Sequence, residues 1–148
     1  MKHSLAIALV LALIATSAHA RIGETREEIT LRYGEGKKDD APRIPGTERF
    51  NYSKNGFDIE VMFAAGKSVM EVFHRKDKEI TDDDIKGLLK VTAASQSWTF
   101  NKKNNQWMRR DRKVRAFRQP GHSDYFFIQD TAAVKNTDTA GEGKFEGF

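Results

Sequence analysis

Regular alternation of apolar and polar residues, interrupted by tight turns, constrains the fold of this chain more than any other feature. The alternation starts at Phe50, stops at Asn55-Gly56 and resumes from Phe57 to Phe63. Asn-Gly is the dipeptide that best suits a two-residue type I′ hairpin turn. A further turn at Ala65-Gly66-Lys67 leads into a third strand, on which Val69, Glu71 and Phe73 share one side. The stretch predicts a three-stranded antiparallel meander with one strongly apolar face.

Strand signals return after Ser95. Apolar and β-branched residues are concentrated in four short segments separated by polar turns, namely Trp98–Phe100, Trp107-Met108, Val114–Arg118 and Tyr125–Gln129. This spacing is typical of a second antiparallel meander.

Two threonines mark helix starts. Thr25 and Glu28 have the spacing of a reciprocal capping box, in which each side chain accepts a hydrogen bond from the other residue's backbone. Thr81 precedes three aspartates, which favour the positive end of a helix dipole, and a stripe of Ile85, Leu88 and Leu89 follows. A calcium loop is the weaker interpretation of the aspartates, because the glycine and closing glutamate of an EF-hand are missing.

These signals predict one α+β domain over residues 21–136, with two short helices packed on antiparallel β meanders. The pairs Thr25–Ile29 and Thr81–Ile85 have the same internal spacing, so a tandem helix-plus-meander repeat stays open. Residues 35–48 contain prolines, glycines and alternating charge without an apolar period. We expect them to form an exposed connection that could carry a binding element.

The first twenty residues have the pattern of a secretory signal peptide. Lys2 and His3 precede an apolar run over residues 5–14, and Ala18-His19-Ala20 supplies the small residues of a cleavage site. We therefore expect an exported, soluble protein that is periplasmic or extracellular. No second apolar segment suggests a transmembrane helix, and cysteine is absent.

The most basic stretch runs from Trp107 to Arg118. Its six cations are the candidate binding residues Arg109, Arg110, Arg112, Lys113, Arg115 and Arg118. On the predicted strand, Arg118 shares a face with Val114, whereas Arg115 shares the other face with Phe117, so neither face forms a continuous cationic stripe. We interpret the stretch as the solvent side of a β-ribbon, with an anionic-ligand surface as the alternative. Export argues against nucleic acid as a ligand.

Residues 137–148 are rich in glycine and polar residues, which predicts a flexible, solvated tail. The alternative is a docking peptide whose Phe145 and Phe148 enter a groove on a partner.

The remaining motifs argue against catalysis. His74 and His122 lack metal-ligand spacing, and no nucleophile elbow or glycine-rich nucleotide loop is present. We expect a non-enzymatic protein with no cofactor and no metal. A hydrolase with paired acids is the third hypothesis, since the chain has 21 aspartate and glutamate residues, two of which could meet in a cleft.

The segment from Ile22-Gly23 through Thr25 and Glu28 to Tyr33-Gly34 resembles the helix opening of small bacterial envelope proteins. The families concerned are the β-lactamase-inhibitor-protein-like proteins and the outer-membrane-assembly lipoproteins. The resemblance implies helices set against an antiparallel sheet, repeated in tandem in the inhibitor family, and a non-enzymatic binding role. The lipidated cysteine of the assembly lipoproteins has no counterpart here, so the resemblance does not imply a lipid anchor.

The sequence thus predicts an exported, soluble, non-enzymatic protein-binding module of the bacterial envelope, of adaptor or inhibitor type, with an envelope or extracellular protein as partner. The alternative is a binder of anionic envelope polymer, or another polyanion, through the basic ribbon.

Overall fold

A computed structural model describes residues 22–133 of the chain. The predicted signal peptide and the predicted tail, including Phe145 and Phe148, lie outside these residues. The helices are α1 (Arg26–Tyr33) and α2 (Asp82–Val91), and residues 131–133 form one further helical turn. The strands are β1 (Lys37–Asp39), β2 (Glu48–Lys54), β3 (Phe57–Ala64), β4 (Lys67–His74), β5 (Trp98–Asn101), β6 (Gln106–Arg109), β7 (Val114–Gln119) and β8 (His122–Asp130).

All eight of these strands belong to one antiparallel sheet, so the described part of the chain is mostly β with some helix. The strand order is β1-β2-β3-β4-β8-β7-β6-β5. The two predicted meanders are therefore halves of one sheet, joined where β4 pairs with β8. Each turn predicted from the sequence separates two neighbouring strands. At the first hairpin, Asn55 and Gly56 both have positive φ angles, as a type I′ turn requires.

Strand β1 corrects the prediction for residues 35–48, which were expected to form only an exposed connection. Lys37 to Asp39 pair with the first half of β2, with Lys37 opposite Asn51. An edge strand of this kind is held by backbone hydrogen bonds and buries little surface. It therefore leaves no apolar period in the sequence.

Both helices begin as predicted. Thr25 Oγ1 accepts from the backbone N–H of Glu28 at 3.3 Å, and Glu28 Oε2 accepts from that of Thr25 at 2.8 Å. Thr81 and Asp84 form the same reciprocal pair at the start of α2. Each box satisfies backbone donors that a helix start would otherwise leave unpaired.

The buried apolar residues lie on both faces of the sheet, which corrects the prediction of a single apolar face. We call the face that carries Ile59, Val61 and Phe73 the inner face. Its cluster also contains the helix residues Ile29, Tyr33, Ile85, Leu88 and Leu89. The opposite, outer face carries a second cluster made of Ile44, Met62, Met70, Val72 and Phe127.

A β-bulge in the β3–β4 hairpin explains one misplaced side chain. Met70 pairs with Met62 and Ser68 with Phe63, so Val69 is an extra residue without a partner of its own. Val69 packs against the outer cluster, and the prediction that it shares a side with Glu71 was wrong. The bulge places Ser68 in a buried position, where its hydroxyl accepts from the backbone N–H of Glu24 at 3.1 Å.

Candidate functional site

The six predicted cationic site residues do not converge. Arg109 is only 6% exposed and forms a two-pronged ion pair with Asp111, from Nε at 3.0 Å and from Nη2 at 2.7 Å. Its Nη1 also donates to the backbone carbonyl of Thr92, just beyond α2. Hydrogen bonding from Arg109 lowers the pKa of Asp111. Arg109 therefore fastens the β6–β7 turn to the end of a helix.

Arg118 and Arg115 point to opposite faces of the sheet. Arg118 Nη2 donates to the carbonyl of Ile80 at 2.9 Å and to Asp82 at 3.0 Å, at the start of α2. The guanidinium of Arg115 lies over the ring of Phe117, 5.7 Å from its centroid, on the outer face. These two cations therefore lie on different surfaces, one beside α2 and the other on the outer face.

Three of the six cations, Arg110, Arg112 and Lys113, are exposed and lie together in the β6–β7 turn. The turn is well defined. Asp111 Oδ1 accepts from the backbone N–H of Lys113 at 3.0 Å, and Thr131 Oγ1 donates to the carbonyl of Arg112 at 2.9 Å. This turn is the only part of the predicted basic ribbon where several of its cations face solvent side by side.

The two tryptophans lie beside the core. Trp98 and Trp107 are partly buried and pack against the inner cluster. The indole N–H of Trp98 donates to the carbonyl of Leu89 at 2.9 Å, which ties β5 to α2. Neither ring lies bare beside the exposed arginines.

The sequence analysis missed a row of four stacked rings on the outer face. His74 stacks on Tyr125 with centroids 4.2 Å apart, and Tyr125 lies 6.3 Å from Phe127. Phe127 in turn stacks on Phe117 at 5.1 Å, with the two planes only 4° apart. The row crosses β4, β8 and β7. Phe127 is buried, whereas the other three rings are partly exposed.

Polar side chains border one end of the ring row, and a methionine and an arginine border the other. His74 Nε2 lies 3.3 Å from a carboxylate oxygen of Asp124, and the ring of His122 meets that of Tyr125 edge-on at 6.1 Å. Burial raises the pKa of Tyr125. At the far end, Met108 is the neighbour of Arg115 across β6 and β7.

Part of the outer face is covered by the segment between β1 and β2. Ile44 is buried in the outer cluster, and Arg43 holds the segment down through two hydrogen bonds to Glu60, at 2.6 and 2.8 Å. Both helices contribute their buried residues to the inner cluster instead. Neither α1 nor α2 contributes a residue to the outer cluster, against which Phe117 and Tyr125 of the ring row pack.

One signal in the sequence could have revealed the row. The run Tyr125–Ile128 is continuously apolar instead of alternating, which is typical of a strand with apolar residues on both faces. The alignment of its outer residues with His74 and Phe117 depends on strand register, which the sequence pattern does not supply.

A small cavity of about 280 Å³ next to the row is lined by two acids. Asp58, Glu60 and His74 are among its lining residues. Asp58 forms an ion pair with Lys76 at 3.2 Å, and Glu60 is held by Arg43. Within residues 22–133, no three histidine, aspartate or glutamate side chains group in a way that could hold a metal ion.

Comparison of the chain with protein-family models, curated proteins and solved structures finds no match. In the described part of the chain, neither helix has the length and apolar character needed to span a membrane.

Proposed function

We propose that this protein is an exported, soluble, non-enzymatic protein-binding module of the bacterial envelope, of adaptor or inhibitor type, and that its outer sheet face makes the contact. Export rests on the signal-peptide pattern of residues 1–20. The observation that carries the proposed contact is the row of stacked rings from His74 to Phe117.

The composition of the row favours a protein partner. Aromatic residues, methionine and arginine are enriched at the centres of protein interfaces, and Tyr125, Phe117, Met108 and Arg115 supply all three kinds. Stacking also limits the freedom of the rings before a partner arrives. Less side-chain entropy is then lost on binding.

The acids near the row support a role without catalysis. Asp58 and Glu60 are each engaged by a cation, Lys76 and Arg43. A paired-acid hydrolase places two carboxyl groups on either side of a substrate bond. Because both carboxylates are held by neighbouring side chains, the pairing favours the binding module over the hydrolase.

The alternative function is binding of an anionic polymer through the basic ribbon. The exposed turn residues Arg110, Arg112 and Lys113 favour it, but Arg109 and Arg118 are already engaged by carboxylates. Only three of the six predicted cations are exposed together in this turn, so the surface offered to a polymer is small. We place this function second.

We further propose that the helices pack on the meanders as a tandem repeat. Each half has a threonine-capped helix followed by four strands, and the strand order mirrors about the β4–β8 pair. The first buried isoleucine of each helix, Ile29 or Ile85, joins the same inner cluster. Such an arrangement would keep both helices on the inner face, away from the ring row.

Site-specific crosslinking in living cells tests the proposed function. A photoreactive phenylalanine replaces Tyr125 in one strain and the exposed Leu31 in a control strain. We expect one discrete protein adduct from position 125, and no such adduct from position 31. A second substitution, Phe117→Ala, should remove the adduct, whereas Arg110→Ser combined with Arg112→Ser should leave it unchanged. Equal adducts at both positions, or none at position 125, would overturn the proposal.

A further inference from the structure

The two edge strands of the sheet differ in charge, and therefore in how readily another strand could pair with them. The sheet ends at β1 on one side and at β5 on the other. Strand β1 has three residues, Lys-Lys-Asp, and charged side chains on a short edge discourage pairing. Strand β5 has the sequence Trp-Thr-Phe-Asn and carries no charge. Its first three residues are of types that are enriched in β-strands. The β5 edge therefore lacks the charged protection of the β1 edge.

An exposed aromatic ring lies on this open edge. Phe100 is 42% exposed although it packs on Trp107 at 4.6 Å. Helix α2 reaches Trp98 through its Leu89 carbonyl, but α2 ends at Val91, which is itself 47% exposed. Of the three large exposed apolar side chains in the described part of the chain, two thus belong to β5 and the end of α2.

The segment that contains β5 is rich in cations, two of which, Lys86 and Arg109, pair with Asp83 and Asp111 outside it. Residues 85–110 contain no aspartate or glutamate but include six cations: Lys86, Lys90, Lys102, Lys103, Arg109 and Arg110. Lys102 and Lys103 are exposed directly after β5. At the other end of the strand, the backbone N–H of Arg110 donates to the carbonyl of Ser97 at 2.8 Å. The open edge is therefore bracketed by cations at both ends.

We propose that β5 binds an extended, acidic segment of a partner protein, which adds to the sheet as a ninth strand. Backbone groups on the open side of β5 would hydrogen-bond the segment, as in other cases of strand addition. Phe100 would pack against one of its apolar side chains. Glutamate or aspartate residues at its ends would meet Lys102, Lys103 and Arg110. This surface is separate from the ring row on the outer face.

The same charges disfavour a second copy of this chain as the occupant. Two β5 strands paired antiparallel would bring Lys102 and Lys103 of one chain towards Ser97 and Arg110 of the other. Like charges facing each other across such a pair are destabilising. A partner with acidic ends avoids this repulsion.

Titration with a designed peptide tests the inference. The probe is a short synthetic peptide that alternates valine and threonine and carries a glutamate pair at each end. The protein is used as it is obtained from the cells that naturally produce it. We expect saturable binding that weakens as salt rises. We also expect slower amide hydrogen exchange at Trp98 to Asn101 in the complex.

Charge reversal provides the decisive comparison. Lys102→Glu with Lys103→Glu should weaken binding of the acidic peptide by about tenfold at low salt and should allow the same peptide with lysine ends to bind. The matched control is Lys37→Glu with Lys38→Glu on the β1 edge, which makes the same charge change and should have little effect. Phe100→Thr, which keeps strand propensity, should also weaken binding.

Three outcomes would overturn the inference: no protection at β5, equal weakening by the β1-edge control, or a β5-linked dimer of the protein alone. None of these outcomes bears on crosslinking at Tyr125, and Phe117→Ala should leave peptide binding unchanged. Failure of this inference and failure of the proposed function are therefore distinguishable.

Discussion

The clearest quantitative test concerns Arg109, which the sequence places among the binding candidates and the structure places inside the protein. The substitution Arg109→Met keeps most of the apolar stem but removes the guanidinium. It leaves the Asp111 carboxylate, 25% exposed, without its two hydrogen bonds at 3.0 and 2.7 Å. Breaking a buried pair costs about 3–5 kcal/mol. Because Asp111 is partly hydrated, we expect a loss of about 2–3 kcal/mol in the free energy of unfolding.

Urea unfolding followed by tryptophan fluorescence measures this loss, since Trp98 and Trp107 pack against the inner cluster and become exposed on unfolding. The matched control is Arg110→Met, next along the chain and exposed, which should change the free energy of unfolding by less than about 0.5 kcal/mol. A double-mutant cycle with Asp111→Asn isolates the coupling between the two side chains.

Acid adds a second readout to the same variant. The pKa of Asp111 is lowered in the folded protein, mainly by its hydrogen bonds from Arg109. The pair therefore stabilises the protein above the ordinary aspartate pKa of about 4, and this contribution is lost as pH falls through the lower, folded value. Arg109→Met should lose less stability over that acidic range than the natural protein. If Arg109→Met is as mild as Arg110→Met and keeps the full acid dependence, the structural role assigned to Arg109 is wrong.

Two further predictions concern other parts of the sheet and helices. Burial alone would raise the pKa of Asp84, but hydrogen bonds from Arg75 and from the helix start outweigh it and hold the value at about 2. Arg75→Met should therefore remove up to about 2 kcal/mol of stability at neutral pH and flatten the decline between about pH 4 and 2, as measured by urea unfolding across pH. Gly36→Ala should cost about 1–3 kcal/mol, because the added methyl group would overlap the buried ring of Tyr52. The control Gly87→Ala, in open space on α2, should instead stabilise by about 1 kcal/mol, and thermal unfolding distinguishes the two signs.

The local structure of this protein could be predicted from short stretches of sequence. The capping box at Thr25, the stripe after Thr81 and the Asn55-Gly56 turn each depend on residues a few positions apart. Their hydrogen bonds and φ angles are set by neighbours along the chain. For that reason the helix starts and the β2–β3 hairpin agree with the prediction.

Only the tertiary structure decided what each strand faces. The β4–β8 pair joins residues that are more than fifty positions apart, and it turns two meanders into one sheet with apolar residues on both faces. The bulge at Val69 changes which side of β4 its side chains occupy. A shift of one residue in register reverses the face of every side chain, and periodicity alone does not set that register.

The candidate site also depends partly on the sequence and partly on the tertiary structure. The sequence determined that six cations lie between Arg109 and Arg118, but the fold placed two of them in ion pairs with Asp111 and Asp82. It also aligned His74 with Tyr125, from strands that are neighbours only in the folded sheet. A sequence records which side chains are available. Long-range strand pairing, which no local pattern encodes, determines which of them meet.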